Sequence, residues 1–244
     1  MQVSAVLIRS YSPKDRQAVR DISCATAFMG QSIEKQYRDA ESLADILTAH
    51  YTDREPENAL IAEQDGEVIG YLLSCRDARR IRDAGTYALK HVFTRGVCFR
   101  PGTAGFYFLS AGDMVTDLFK KGAPKFDLER YPCHTHSNFK PGSRGAGVGT
   151  ELFYRLFDHY KRQGVHGMHA QVMAANTKTL RWAEAKLGYR CYGEPYLVPG
   201  IRALNGDRMK IQMIIRELGN WELGAWKEPG FKIAHGAPGQ ATPA

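Results

Sequence analysis

The stretch Phe139-Lys-Pro-Gly-Ser-Arg-Gly-Ala-Gly-Val-Gly-Thr150 sets Arg144 beside Gly145, Gly147 and Gly149. Glycine lets a backbone come close to a ligand, and the first amides of a helix have no internal partners. With a helix starting at Gly147, those N–H groups, the positive end of the helix dipole and Arg144 make a cradle for a pyrophosphate. A tight strand-to-helix connection is the plainer reading of the same glycines. The spacing is not Gly-x-Gly-x-x-Gly, and no Gly-Lys-Ser/Thr follows to hold β/γ phosphates and magnesium. Just before the loop stand Cys133, His134 and His136, the side chains best suited to moving a proton near neutral pH. On a strand His134 and His136 share a face, and Cys133 and Thr135 take the other. Two histidines packed or hydrogen-bonded beneath a helix would leave the same pattern. As zinc ligands, Cys133, His134 and His136 lack a fourth partner.

The elements that must position these residues can be read in order. Val3 to Arg9 reads as a strand. Ser12-Pro13-Lys14-Asp15 opens a helix, with Ser12 as N-cap, Pro13 first, and Asp15 nearly completing a capping box. Ala18, Ile22, Ala25 and Met29 recur at helical spacing and predict its buried face. A second helix is expected from about Glu41 to Tyr51, with Leu43, Ile46 and Leu47 apolar. Strands over 58–64 and 67–75 are joined by Asp65-Gly66, a strong hairpin signal. Tyr131 to Phe139 reads as the strand entering the loop, and residues 147–162 as the amphipathic helix leaving it. That helix carries Val148, Leu152, Leu156 and Tyr160 on one stripe, with Glu151–Arg155 and Asp158–Arg162 pairs expected on the wet side. Strand 166–173, helix 176–187 closed by Gly188, and strands 189–197 and 208–218 complete the pattern. A bulge is expected in the 131–139 strand, where it must splay to admit a ligand.

Residues 76–130 interrupt this order. Their first half is basic, with Arg76, Arg79, Arg80, Arg82, Lys90, Arg95 and Arg100, and their second half is aromatic, with Phe106, Tyr107, Phe108 and Phe119. So long an insertion is usually functional or separately folded; a lid over a substrate, an oligomer contact and a decorative subdomain all fit. The arginines alone would also suit a solvated helix face. The tail after Leu218 is expected to fray beyond Trp226.

Composition narrows the class. A 43% hydrophobic and 24% charged chain of 244 residues is an ordinary soluble globule, with one domain expected over 1–218 and a tail over 219–244. The five scattered cysteines suggest neither a disulfide framework nor zinc. Without a leader-like or membrane-length apolar run, the cytoplasm is the expected location and no membrane partner is expected. The net charge of +7 suits a small anionic ligand. No nucleic-acid module with aromatics set in a basic strand is seen, and nucleic acid is not an expected partner.

Arg144, Gly147 and Gly149 resemble the Arg/Gln-x-x-Gly-x-Gly/Ala signature of the GCN5-related N-acetyltransferases. The resemblance extends through strand, loop, helix, strand, Asn176, helix and Leu187-Gly188-Tyr189, and so covers most of residues 1–218. It implies an α/β (α+β) GNAT fold: a mixed, mostly antiparallel sheet of about seven strands flanked by helices, with a helical insertion between strands 3 and 4. It implies acetyl-CoA as co-substrate and no metal. Phe139 and Lys140 would present backbone to the pantetheine arm. Arg144, Gly145, Ala146, Gly147, Val148, Gly149 and Thr150 would hold the pyrophosphate, and Asn176 would touch the cofactor near the next helix. The chemistry implied is direct attack of a primary amine, small or peptidic, on the thioester. His134 and His136 are candidate bases, although the family's frequent base positions fall on the Cys133/Thr135 side of the strand. The family's leaving-group tyrosine falls at position 184, which is Glu184, so Glu184 is the candidate acid. That departure supports an alternative, a catalytically weak or inactive protein that binds acyl-CoA or only a protein partner. Exposed terminal strands often pair in such folds, which would give a homodimer. More narrowly, the Tyr51–Glu57 run, the long insertion and His134-x-His136 resemble bacterial relatives of the acetyltransferase-like C-terminal domain of O-GlcNAcases.

Overall fold

The computed structural model of the protein describes residues 6–80, 84–118, 126–144 and 147–224. Its spine is a seven-stranded sheet in the order β1-β2-β3-β4-β5-β7-β6. The strands are β1 (Val6–Ser10), β2 (Leu60–Gln64), β3 (Glu67–Cys75), β4 (Cys133–Phe139), β5 (Gly167–Met173), β6 (Arg190–Arg202) and β7 (Arg208–Glu217). Every neighbouring pair is antiparallel except β4 and β5. The β2–β3 hairpin turns on Asp65 and Gly66, both at positive φ (53° and 79°), as the primed turns that match strand twist require.

Helices cover both faces. On one side α6 (Val148–Arg162) and α7 (Thr177–Leu187) pack Leu152, Phe153, Leu156, Phe157 and Leu187 against Ile8, Leu72, Cys133 and Met168. On the other, α1 (Arg16–Thr26) and α3 (His50–Arg54) bury Val19, Ile22 and Tyr51 against Ile61, Tyr71 and Leu73. Ser12 and Asp15 form a complete capping box ahead of α1. The buried stripe of α1 differs from the one its apolar spacing predicts. Ile22 is buried, but with Val19, Ser23 and Thr26, while Ala25 and Met29 are exposed. The helix stops at Thr26 and the chain turns back through a Phe28–Gln31 bridge, which carries Met29 off the helical face.

The second predicted helix is broken by its own polar residues. It runs as α2 (Ala40–Ala44), a π turn (Asp45–Ala49) and then α3. The π turn presents buried Asp45 to Arg20, which is hydrogen-bonded to it, and to His91 Nε2 at 2.8 Å. Arg20 belongs to α1 and His91 to α4 (Ala84–Arg95), so one carboxylate ties the insertion to the domain. A second such tie lies further along. Asp113 of α5 (Ala104–Asp117) accepts from both terminal nitrogens of Arg202, at 2.7 and 2.8 Å, and from the Gly200 amide at 2.8 Å. Arg95 and Arg100 pair with Asp39. Those two arginines are therefore part of the insertion's anchorage and not of a solvated face.

Helix α6 keeps its predicted apolar stripe, but Glu151 is buried and not on the wet side; it accepts from Arg155 at 2.6 Å. The start of the tail is docked on this helix. Trp221 packs on the rings of Tyr154 and Phe157, 4.9 and 5.2 Å between centroids, and donates its Nε1–H to Asp158 at 2.7 Å. The expected fraying beyond Trp226 concerns residues outside those described. Among the described residues no helix is long and apolar enough to cross a membrane.

Candidate active site

The sheet opens where its one parallel pair separates. β4 and β5 are in register only over Cys133–Thr135 and Met168–Ala170. Beyond that, β4 stays with β3 to Phe139 and β5 stays with β7 to Met173, leaving a wedge between them. No bulge produces it: the β3–β4 register is unbroken from His134 to Phe139, contrary to the bulge expected from sequence. The opening comes instead from the two strands following different partners.

Backbone direction then follows from alternation along a strand. The Lys140 amide donates to the Ile69 carbonyl at 2.8 Å, so the N–H and C=O of Ser137 and Phe139 point away from β3, into the wedge. The Ala174 amide donates to the Lys210 carbonyl at 2.8 Å, so Gln171 and Met173 point their backbone into the wedge from the other side. Two rows of peptide groups thus face each other across a gap. An extended chain bearing amides of its own would pair with both. Of the two backbone positions expected to do this, Phe139 qualifies and Lys140 does not, because its N–H is already paired with β3.

At the mouth of the wedge stands the N-terminus of α6, capped by Gly147 in the left-handed region (φ 79°). Gly149 is closely packed: a Cβ there would lie 3.3 Å from the Phe139 ring and 3.5 Å from Trp182. Trp182 donates to the Thr150 hydroxyl at 3.2 Å, and Val148 is in the core. Arg144 is exposed and its guanidinium donates to the carbonyls of Phe139 (3.1 Å) and Gly30 (3.3 Å). Its charge is thus held at the end of β4, three positions before the Gly147 cap of α6. Gly145 and Ala146 lie outside the described residues. Asn176 caps α7, accepting from the Thr179 amide at 3.2 Å, and is among the residues that line the wedge.

A cavity of about 710 Å³ passes through the wedge from one face of the sheet to the other. On the α6–α7 side it meets Phe153, Trp182, Thr135 and Tyr189, and on the α1–α3 side Leu47, Tyr51, His134 and His136. The insertion contributes Tyr87, Phe126 and Leu128. His134 and His136 share a face, as strand alternation predicts, and both reach the cavity, but they differ. His134 Nδ1 is bonded to the Tyr51 hydroxyl at 2.6 Å and its ring packs on His169, so it is a fixed part of the wall. His136 keeps its Nδ1 buried without a well-formed hydrogen bond, and its Nε2 is 3.3 Å from the Asn138 amide. Burial lowers both rings, His136 to about 4 with a partial offset from the Leu47 backbone, and holds them neutral at pH 7.

Two further residues reach the cavity: His169, which no sequence pattern marks, and Tyr189, which the pattern places after the Gly188 stop without showing its reach. His169, on β5, hydrogen-bonds through Nδ1 to the Tyr131 carbonyl at 2.8 Å. A carbonyl only accepts, so Nδ1 carries the proton and Nε2 is left as an acceptor. Tyr189 follows the Gly188 cap and is buried, with its hydroxyl among the polar atoms lacking a hydrogen-bond partner. Burial raises its phenol, with the nearby Thr135 hydroxyl and the Arg216 charge opposing, so it stays protonated. Glu184, by contrast, is exposed and faces a separate pocket lined by Thr177, Arg181 and Cys191. The expectation that it supplies a proton at the cavity is corrected: one helix position places it on the outer side of α7. Among the described residues no group of three or more His, Cys, Asp or Glu is placed to hold a metal ion.

Comparison with known proteins agrees with this architecture. Residues 138–189, the segment from the wedge strand through the α7 cap, match the model of the acetyltransferase (GNAT) family. The solved structure of SsHAT superposes with a TM-score of 0.64 at 23% identity, covering 88% of this chain and 98% of that one. The structure of yncA from Salmonella typhimurium, solved with its cofactor acetyl-CoA, gives 0.53 at 19% identity, covering 91% and 99%. A GNAT superfamily phosphinothricin acetyltransferase from Sinorhizobium meliloti, in complex with acetyl-CoA, gives 0.55 at 16% identity, covering 88% and 89%. The protein has the GNAT fold, and its wedge, loop and α7 carry that family's own sequence pattern.

Proposed function

We propose that the protein is an N-acetyltransferase that moves the acetyl group of acetyl-CoA to a primary amine by direct attack. The observation that carries this reading is the wedge: facing peptide groups of Ser137, Phe139, Gln171 and Met173, closed at one end by the N-terminus of α6. The pantetheine arm has amides to pair with those groups, and the pyrophosphate suits the free amides of α6 and the Arg144 charge. Acetyl-CoA supplies an activated acetyl group; the chain supplies position and proton handling. The Phe139 N–H is a preorganised donor facing the gap, where developing negative charge would be stabilised. Neutral His136 accepts the proton lost by the attacking nitrogen. The buried, protonated Tyr189 hydroxyl, beside the Thr135 hydroxyl, is the donor we assign to the leaving sulfur in place of Glu184.

The GNAT-domain match and the acetyl-CoA held by two solved structures of this fold support the reading. The kinship with O-GlcNAcase acetyltransferase-like domains is proposed on the Tyr51–Glu57 run, the insertion and the histidine pair alone. The expected result is release of free coenzyme A thiol from acetyl-CoA, dependent on both protein and added amine. Tight acetyl-CoA binding without amine-dependent release would support the alternative, a silent acyl-CoA binder.

A further inference from the structure

The half of the cavity facing α1, α3 and the insertion, where an acceptor would meet His136, has an unusual lining for a site that takes amines. Among the described residues that line the cavity none is Asp, Glu, Lys or Arg. Its imidazoles on this face are His50, His134, His136 and His169, and burial lowers all four, while it raises the Tyr51 phenol beside them. The Glu55 carboxylate lies 3.4 Å from His50 Nε2, is not among the lining residues, and favours the charged form of His50 without overcoming burial. The walls are otherwise aromatic and aliphatic, with Thr26, Asn138 and Gln171 as uncharged polar members. Phe126 packs on His169 at 4.6 Å between centroids, His169 on His134 at 5.0 Å, and Tyr51 stacks on His134 at 6.1 Å.

An ammonium ion entering this space would lose its hydration without gaining a carboxylate, a cost of several kcal/mol. An ordinary alkylamine, titrating near the lysine value of about 10.4, is neutral in only about one molecule in 2,500 at pH 7. Flat rings, in contrast, pack well against edge and face of the Tyr, Phe and His rings present. Neutral imidazoles can accept hydrogen bonds from an uncharged –NH2. Resting on the acetyltransferase reading above, we propose that the acceptor is a weakly basic aromatic amine, bound uncharged between the ring-lined walls with its nitrogen at His136. The nitrogen lone pair forms the new bond to the acetyl carbon and the C–S bond breaks with its pair on sulfur. His136 takes the proton leaving nitrogen. The sulfur takes a proton from the Tyr189 hydroxyl, which is restored from solvent as His136 gives its own up. A base as weak as His136 matches this acceptor, because no ammonium has to be deprotonated first.

The test compares two isomers, p-toluidine and benzylamine, which have the same atoms and differ in whether the nitrogen is conjugated to the ring. With the full chain and acetyl-CoA at pH 7, p-toluidine is expected to react with kcat/KM at least tenfold above benzylamine. Putrescine should be poorer still, and the benzylamine deficit should shrink as pH rises toward 9. Met29 lines the cavity and is exposed at its rim, so Met29→Glu adds a carboxylate without disturbing the core. It should narrow the isomer ratio at pH 7 by at least threefold. Benzylamine or putrescine reacting faster at pH 7, or an isomer ratio that Met29→Glu leaves unchanged, overturns the proposal. Acetyl-CoA binding with transfer to neither isomer overturns it alone, whereas absence of acetyl-CoA binding overturns the acetyltransferase reading and this proposal with it.

Discussion

Asp45→Ala lowers the free energy of unfolding by about 3–5 kcal/mol, the range for removing one partner of a buried ion pair. Asp45 is buried, and Arg20, buried beside it, would lose its hydrogen-bonded counter-charge. The Glu41 carboxylate at 2.7 Å is an exposed substitute of little weight. His91 would lose its 2.8 Å bond as well, and with it one of the ties of α4 to the domain, the pair of Arg95 with Asp39 being another. Burial alone would raise the Asp45 carboxyl, but hydrogen bonds from Arg20 and His91 outweigh it and hold it below the usual carboxylate range. A folded-state value below the unfolded one, about 3.9, means the stabilisation is present above that pH and is lost as pH falls through the folded value. Urea denaturation at pH 7 measures the effect, and a loss under 1 kcal/mol would contradict it. Asp15, Asp39 and Asp113 are lowered in the same direction, so the wild type should lose stability steeply below about pH 4.

His136→Ala lowers kcat by about 10²- to 10⁴-fold, the usual contribution of a positioned general base. Acetyl-CoA affinity should stay within about threefold, because the wedge backbone and the α6 N-terminus do not involve this ring. The pH profile discriminates further. Burial holds His136 near 4, so it is an unprotonated base throughout the range in which the protein is folded. With an arylamine acceptor, kcat/KM should be flat from about pH 6 to 8, above the titration of the arylammonium itself. An acid limb near 6.5, the ordinary histidine value, would assign the base to a group other than His136.

The sequence was most informative where local rules govern. The order of strands and helices, the Asp65-Gly66 turn, the Gly147 start of α6, the Asn176 cap and the Gly188 stop all depend on residues within a few positions of one another. The site itself depends on separations the sequence does not display. Nothing local distinguishes His134, bonded to Tyr51 across 83 positions, from His136, which is not. Tyr189 is drawn to the cavity and Glu184 away from it by the azimuth of α7 and the turn after it. The wedge arises from strand pairing and not from a bulge, so no single residue announces it. Polar residues misled the helical readings for a related reason. Asp45 and Glu151 look solvent-facing by type, yet each is buried because an arginine waits for it.

The account stands most directly on the wedge as an acetyl-CoA site. Calorimetric titration of the purified protein with acetyl-CoA, beside Arg144→Glu, tests it. Arg144 is exposed, so its reversal should leave the fold intact while setting a carboxylate where the pyrophosphate belongs. The expected result is micromolar binding by the wild type and at least a hundredfold loss in the variant, about 2.7 kcal/mol. No binding by the wild type, or equal binding by Arg144→Glu, would contradict it.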